Sequence, residues 1–193
     1  YPDKVNNYPM KEEILHLGPP TPSNFSYGYA KRCLAVQIDA YNKQFGTQYN
    51  YIIPTNLYSE YDNFDNDSKM HFVTALLKKI KNSKNNIIEL FGDGSPLRQF
   101  IYAEDLAKII KLIIDNDITE SFNVSNTENL SIDKMANIAL QEVGKEYKIH
   151  YIYPHLNGQL RKDVCNQKLM NIFPNFKFTS FKEGIKKVYD KIS

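Results

Sequence analysis

No run of about 18 consecutive apolar residues occurs in this chain of 193 residues, so no segment is expected to span a membrane. An excess of one charge is missing too. Lys plus Arg total 24, Asp plus Glu total 22, and the net charge is +2. That balance argues against a dedicated nucleic-acid or polyanion binder. Only two cysteines are present, Cys33 and Cys165, without metal-ligand spacing. They read as two free thiols in a reducing cytosol, with one disulfide as the alternative. The N-terminal stretch "YPDKVNNYPM" is polar and contains proline. It has neither the apolar centre of a signal peptide nor an initiator Met. No internal repeat is found. The N-x-S/T matches at Asn24, Asn66, Asn123 and Asn129 read as by-products of an Asn-rich composition.

What is present suits one domain, or one domain and a small lobe. Hydrophobic residues make up 42% and aromatics 13%, enough for a real core. Residues 1–22 read as loop because six Pro and Gly residues interrupt them, with one short turn in "MKEEILHL". A long helix is expected over 23–45, ended by Gly46, with Ala30, Leu34, Val36, Ile38 and Tyr41 as its apolar stripe. A strand follows in "YNYIIPTNLY", stopped by Pro54, then polar loop over 58–67 and a helix from about Lys69 to Lys84. "NIIELFGDG" reads as a strand entering a glycine turn. "RQFIYAEDLAKIIKLIIDN" reads as a strand stub and a helix from about Ala103. "SFNVS" is a short buried strand, and "SIDKMANIALQEVGK" a helix capped by Ser131. "KIHYIYP" is a further strand, and helices are expected over 166–173 and 180–192. Alternating strands and helices predict an α/β fold with a mostly parallel sheet.

The most suggestive local feature is in "SNFSYGYAKR", where Tyr27 and Lys31 stand four residues apart on the expected helix. That spacing makes them surface neighbours. An ammonium beside a phenol favours the phenolate, and a phenol so tuned can give a proton to a carbonyl oxygen or take one from an alcohol. By itself the spacing is a weak signal and reads as a solvated surface pair.

Its surroundings are more specific. "PTPSNFSYGYAKR" is followed in order by "PTNLY", "DNF", "HFVTALLKK", "LFGDGSPLRQFIYAEDLA", "FNVSN", "SID" and "NGQLRK". Over essentially the whole chain this series resembles the GDP-L-fucose synthase family of extended short-chain dehydrogenase/reductases. The resemblance implies the C-terminal part of a Rossmann-like parallel sheet with a smaller α/β lobe. The NADP-binding part would fall at 1–56 and 97–126, and the nucleotide-sugar lobe at 57–96 and 127–193. It implies NADPH-dependent reduction at C4 of a GDP-linked 4-keto-6-deoxy-sugar, with epimerisation at C3 and C5. Tyr27 matches the family's general acid, and Lys31 its partner on the nicotinamide ribose. Pro54, Thr55, Asn56 and Leu57 match the strand end that meets the nicotinamide, and His71 the acid of the epimerisation. Lys79, Phe91, Arg98, Asn157 and Lys162 match substrate-contacting positions. Three of these depart from the usual residue: Lys79 for Arg, Phe91 for Trp and Asn157 for Asp. A homodimer through helix 23–45 is also implied. No metal, nucleic acid or membrane is.

A dinucleotide-binding G-x-x-G-x-x-G does not occur among the eight glycines. "FGDGSP" reads as a turn beside substrate. The family's catalytic Ser and epimerisation Cys stand just before "YP" in its pattern. Cys33 is no substitute, being turned roughly 200° from Lys31 on a helix. The sequence therefore reads as a C-terminal segment of a longer enzyme, inactive alone. Two other readings stay open: a 4-reductase without epimerisation on a GDP-6-deoxy-heptose, and a non-catalytic nucleotide-sugar-binding module.

Overall fold

The computed structural model describes residues 1–65 and 70–192. The Asn66 sequon and the expected helix start at Lys69 lie outside them. In chain order the elements are α1 (Phe25–Phe45), β1 (Ile52–Pro54), β2 (Asn56–Tyr58), α2 (Phe72–Asn82) and β3 (Ile87–Phe91). Then come β4 (Leu97–Arg98), β5 (Phe100–Tyr102), α3 (Ala103–Asp115), β6 (Phe122–Val124) and β7 (Leu130–Ser131). The chain ends with α4 (Ile132–Glu142), β8 (Lys148–Ile152), α5 (Gln167–Ile172) and α6 (Phe181–Ile192). Three strand pairs are parallel, β1 with β6, β2 with β5 and β3 with β8, while β4 and β7 are antiparallel. The α/β class follows from this alternation.

The chain divides into two compact units. The first comprises Tyr1–Thr55, Ala107–Ser125 and Asp163–Phe176. Its β6 is buried throughout. Asn123 at the centre of β6 ties three segments together. Its side-chain amide donates to the carbonyls of Met10 and Cys165, and its backbone N–H donates to Glu12. Met10 in turn donates to the Asp163 carbonyl and accepts from Cys165 N–H. These bonds tie 163–176 into the first unit.

Helix α1 is stopped by Gly46, whose N–H donates to the Asn42 carbonyl at 3.0 Å. Its packing differs from the expected stripe. Only Arg32 and Ala35 are buried, while Leu34, Val36 and Tyr41 are exposed. Phe25, Tyr29 and Val36 lie on one flank of the buried line, at helical spacing. Tyr27, Leu34, Tyr41 and Phe45 lie on the other. The helix thus has a second exposed apolar flank that the sequence did not reveal.

The second unit comprises Asn56–Leu106, Asn126–Lys162 and Lys177–Ser193. Its core is built by α2 (Val73, Leu76, Leu77, Ile80), β3 (Ile88, Leu90), α4 (Met135, Ala136, Ala139, Leu140) and α6 (Phe181, Ile185, Val188). Tyr58, Phe100 and Phe181 pack their rings at centroid separations of 5.7 to 6.2 Å. Residues 97–106 belong here because Phe100–Tyr102 pairs with Asn56–Tyr58 and feeds the core. Ser131 caps α4 by accepting the Lys134 N–H at 3.0 Å, as its sequence signal implied. Helix α6 has a capping box missing from the sequence reading. Ser180 Oγ accepts the Glu183 N–H, and the Glu183 carboxylate accepts the Ser180 N–H.

Candidate functional site

In the first unit α1 holds Tyr27 and Lys31 one turn apart. The Lys31 ammonium lies 5.7 Å from the Tyr27 ring centroid, and the ring is 65% exposed. A phenol and a cation therefore share one open stretch of helix. Pro54 ends β1. Thr55 follows, its N–H donating to the Val124 carbonyl at 3.0 Å. The Thr55 hydroxyl is buried and has no partner among the described residues. It is a polar atom at the carboxyl end of a parallel strand, where α/β folds receive ligands.

In the second unit Asn56 and Leu57 open β2, with the Asn56 amide 3.5 Å from the Gln99 carbonyl. His71 is the extended residue before α2, with an exposed side chain; its carbonyl accepts the Ala75 N–H.

A cavity of about 810 Å³ lies in this unit. It is lined by Lys79 from α2, Phe91 from β3, Arg98 from β4 and Asn157 from the loop after β8. That volume is within the range of small-molecule sites. Lys79 Nζ donates to the Glu89 carbonyl at 2.6 Å and stands 5.4 Å from the Phe91 ring centroid. Arg98 Nη1 donates to the Leu97 carbonyl at 2.8 Å, and burial pushes its guanidinium below its usual pKa. Asn157 Oδ1 accepts the Asp93 N–H at 2.9 Å, joining the "FGDGSP" turn to the loop after β8. That turn is further held by Asp93, which accepts from the Ser95 hydroxyl and N–H. These bonds keep its carboxyl below the usual range.

Four residues singled out in the sequence thus converge from four separate elements. Neither His71 nor Lys162, also singled out, lines the cavity. The sequence neighbours of His71, Met70 and Phe72, do. Lys78 and Leu156 also line it and went unremarked, although Lys78 is part of "HFVTALLKK". Cations from α2 and β4 beside an apolar floor suit a ligand with anionic and flat apolar parts.

Among the described residues no cluster of three or more His, Cys, Asp or Glu is placed to hold a metal ion. No helix there is long and apolar enough to cross a membrane. Cys33 and Cys165 are free thiols.

Residues 1–125 match the profile of the NAD dependent epimerase/dehydratase family. The chain belongs to that family. Its likeness to GDP-L-fucose synthases runs along nearly all its length. It is 34% identical over 191 residues to the GDP-L-fucose synthase of Dictyostelium discoideum, matching 96% of this chain and 59% of that protein. The crystal structure of a GDP-L-fucose synthetase from Naegleria fowleri bound to NADP superposes with a TM-score of 0.89 at 30% identity, covering 100% of this chain and 62% of that one. A GDP-mannoheptose C4 reductase from Campylobacter jejuni, with NADP bound, shares the fold at a TM-score of 0.81 and 24% identity, over 98% of this chain and 66% of that one. The fold is accordingly Rossmann-like, with an incomplete sheet. The chain spans about three fifths of the length of the first two of these relatives.

Proposed function

We propose that this chain belongs to an enzyme that reduces C4 of a GDP-linked 4-keto-6-deoxy-sugar with NADPH, after epimerisation at C3 and C5, in the cytoplasm. The observation that carries this reading is the convergence of Lys79, Phe91, Arg98 and Asn157 on one cavity. In this account the second unit is the nucleotide-sugar lobe. The Lys79 and Arg98 cations meet the diphosphate, Phe91 supplies an apolar face, and Asn157 a polar contact. Lys162 would add a cation from outside the cavity lining.

The first unit would carry the reductive proton chemistry. NADPH supplies the hydride when bound. Tyr27 gives its phenolic proton to the oxygen on C4, so that the ketone becomes an alcohol, and Lys31 stabilises the phenolate left behind. The residues present fit part of such a cofactor. The Tyr27–Lys31 pair suits the nicotinamide ribose, and the strand end at Pro54–Leu57, with the unpartnered Thr55 hydroxyl, suits the nicotinamide. His71, exposed before α2, would return a proton to the sugar carbon during epimerisation. A homodimer would form through α1, which has two exposed apolar flanks.

The experiment is NADPH oxidation with a GDP-4-keto-6-deoxy-sugar, run in D2O with the protein at its natural length. Turnover with deuterium at C3 and C5 is expected. Turnover without deuterium favours a plain 4-reductase, and no turnover with any such GDP-sugar refutes the proposal. The 193 residues alone contain no glycine-rich dinucleotide loop and are expected to oxidise no NADPH.

A further inference from the structure

Strands β3 and β8 run parallel, with Phe91 opposite Ile152, so their carboxyl ends open along one edge. Gly92 N–H donates to the Ile152 carbonyl at 2.9 Å and fixes the two chain exits against each other. The next residue on β8's side is Tyr153. Its ring stacks on Phe91 at 6.0 Å between centroids and 23° between planes. Both rings stay open to solvent, Phe91 at 60% and Tyr153 at 56%. Tyr153 also has φ +54°, ψ +64°, a left-handed backbone that bulky residues rarely adopt. Backbone strain of this kind gathers where function needs a side chain held in place. Burial does not explain it, because the ring it positions is mostly exposed. His155 meets the Tyr153 ring edge-on at 6.1 Å.

We infer that Tyr153 is a positioning residue that acts through Phe91. It backs the ring that walls the cavity, so that Phe91 presents a fixed flat face to the base of a nucleoside diphosphate. Phe91 lines the cavity and Tyr153 does not, which puts Tyr153 in the supporting role. The Lys79 ammonium, over the Phe91 ring at 5.4 Å from its centroid, marks where the charged part of such a ligand would lie. A stacked pair offers a larger and stiffer face than one phenyl ring, and base stacking on aromatic side chains is a substantial contribution to binding. This inference rests on the nucleotide-sugar reading of the cavity.

The test is calorimetric binding of GDP and of inorganic pyrophosphate to wild type, Tyr153→Gly and Tyr153→Phe at the protein's natural length. Glycine accepts the left-handed backbone, and that relief offsets the lost ring contacts and the more flexible unfolded chain, so Tyr153→Gly is expected to melt near the wild-type temperature. It should nevertheless bind GDP about threefold to tenfold more weakly and pyrophosphate unchanged. Tyr153→Phe, which keeps the ring, should bind both as wild type does. Unchanged GDP affinity in Tyr153→Gly overturns the inference, and so does an equal loss for pyrophosphate. A wild type that binds neither ligand overturns the reading of the cavity and the inference with it.

Discussion

Gly92 follows β3 with φ +89°, where a side chain is strained whatever the space around it. Its neighbour leaves no space either. A Cβ at Gly92 would stand 2.4 Å from Asn157 Oδ1, the atom that accepts the Asp93 N–H. Gly92→Ala therefore combines two losses. The left-handed backbone costs roughly 1–2 kcal/mol in a residue with a Cβ. Displacing Asn157 removes a hydrogen bond worth about 1 kcal/mol. The stiffer unfolded chain returns about 0.5 kcal/mol, so the net loss should be about 2 kcal/mol. For a chain of this size that is a fall of about 4–8 °C in melting temperature. Asn157 lines the cavity, so GDP affinity should fall as well. Thermal melts and calorimetry on Gly92→Ala, Asn157→Ala and the double variant check the reasoning. Once Asn157 is truncated the clash is gone, and the double variant should be no less stable than Gly92→Ala alone. Wild-type stability for Gly92→Ala, or strict additivity in the double variant, would refute it.

Gly184 lies within α6, where alanine would ordinarily stabilise the helix by about 1 kcal/mol. Its Cβ would stand 2.7 Å from Cζ of the fully buried Tyr58, so Gly184→Ala should instead destabilise by about 1–3 kcal/mol, measured by urea unfolding. The Ser180 hydroxyl and N–H hold the Glu183 carboxyl below its usual pKa. A carboxyl depressed in the folded state contributes stability above its unfolded value of about 4.3 and loses it as pH falls further. Glu183→Gln should flatten that acid limb in unfolding measured from pH 6 to 3, and an unchanged limb would count against the cap. On α1, Val36→Glu and Leu34→Glu place a charge on either exposed flank. At least one should convert a dimer to monomer by light scattering, whereas two unaltered dimers would exclude the helix as the interface.

Much of the fold could be read from the sequence because local signals and packing agree. Ser131 is a cap by composition and by geometry, and Gly46 ends α1 where the apolar period stops. The burial of α1 was misread for a physical reason. Hydropathy points to Leu34, Val36 and Tyr41, while the helix packs through Ala35 and a buried Arg32, whose guanidinium donates to the Gly18 carbonyl at 2.6 Å. Asn123 read as an accidental sequon, yet it is a buried junction of three segments. Lys79, Phe91, Arg98 and Asn157, which line the cavity, were singled out through a resemblance along the chain. Tyr153 was not, since no propensity scale announces an aromatic residue with positive φ.

Proton donation by Tyr27 is the proposed step on which reduction depends. Steady-state kinetics of Tyr27→Phe at the protein's natural length test it most directly, since only one hydroxyl is removed from an exposed ring. A fall in kcat of at least about a hundredfold, with KM for the GDP-sugar and affinity for NADPH nearly unchanged, is the expected result. Turnover by Tyr27→Phe at the wild-type rate would contradict it.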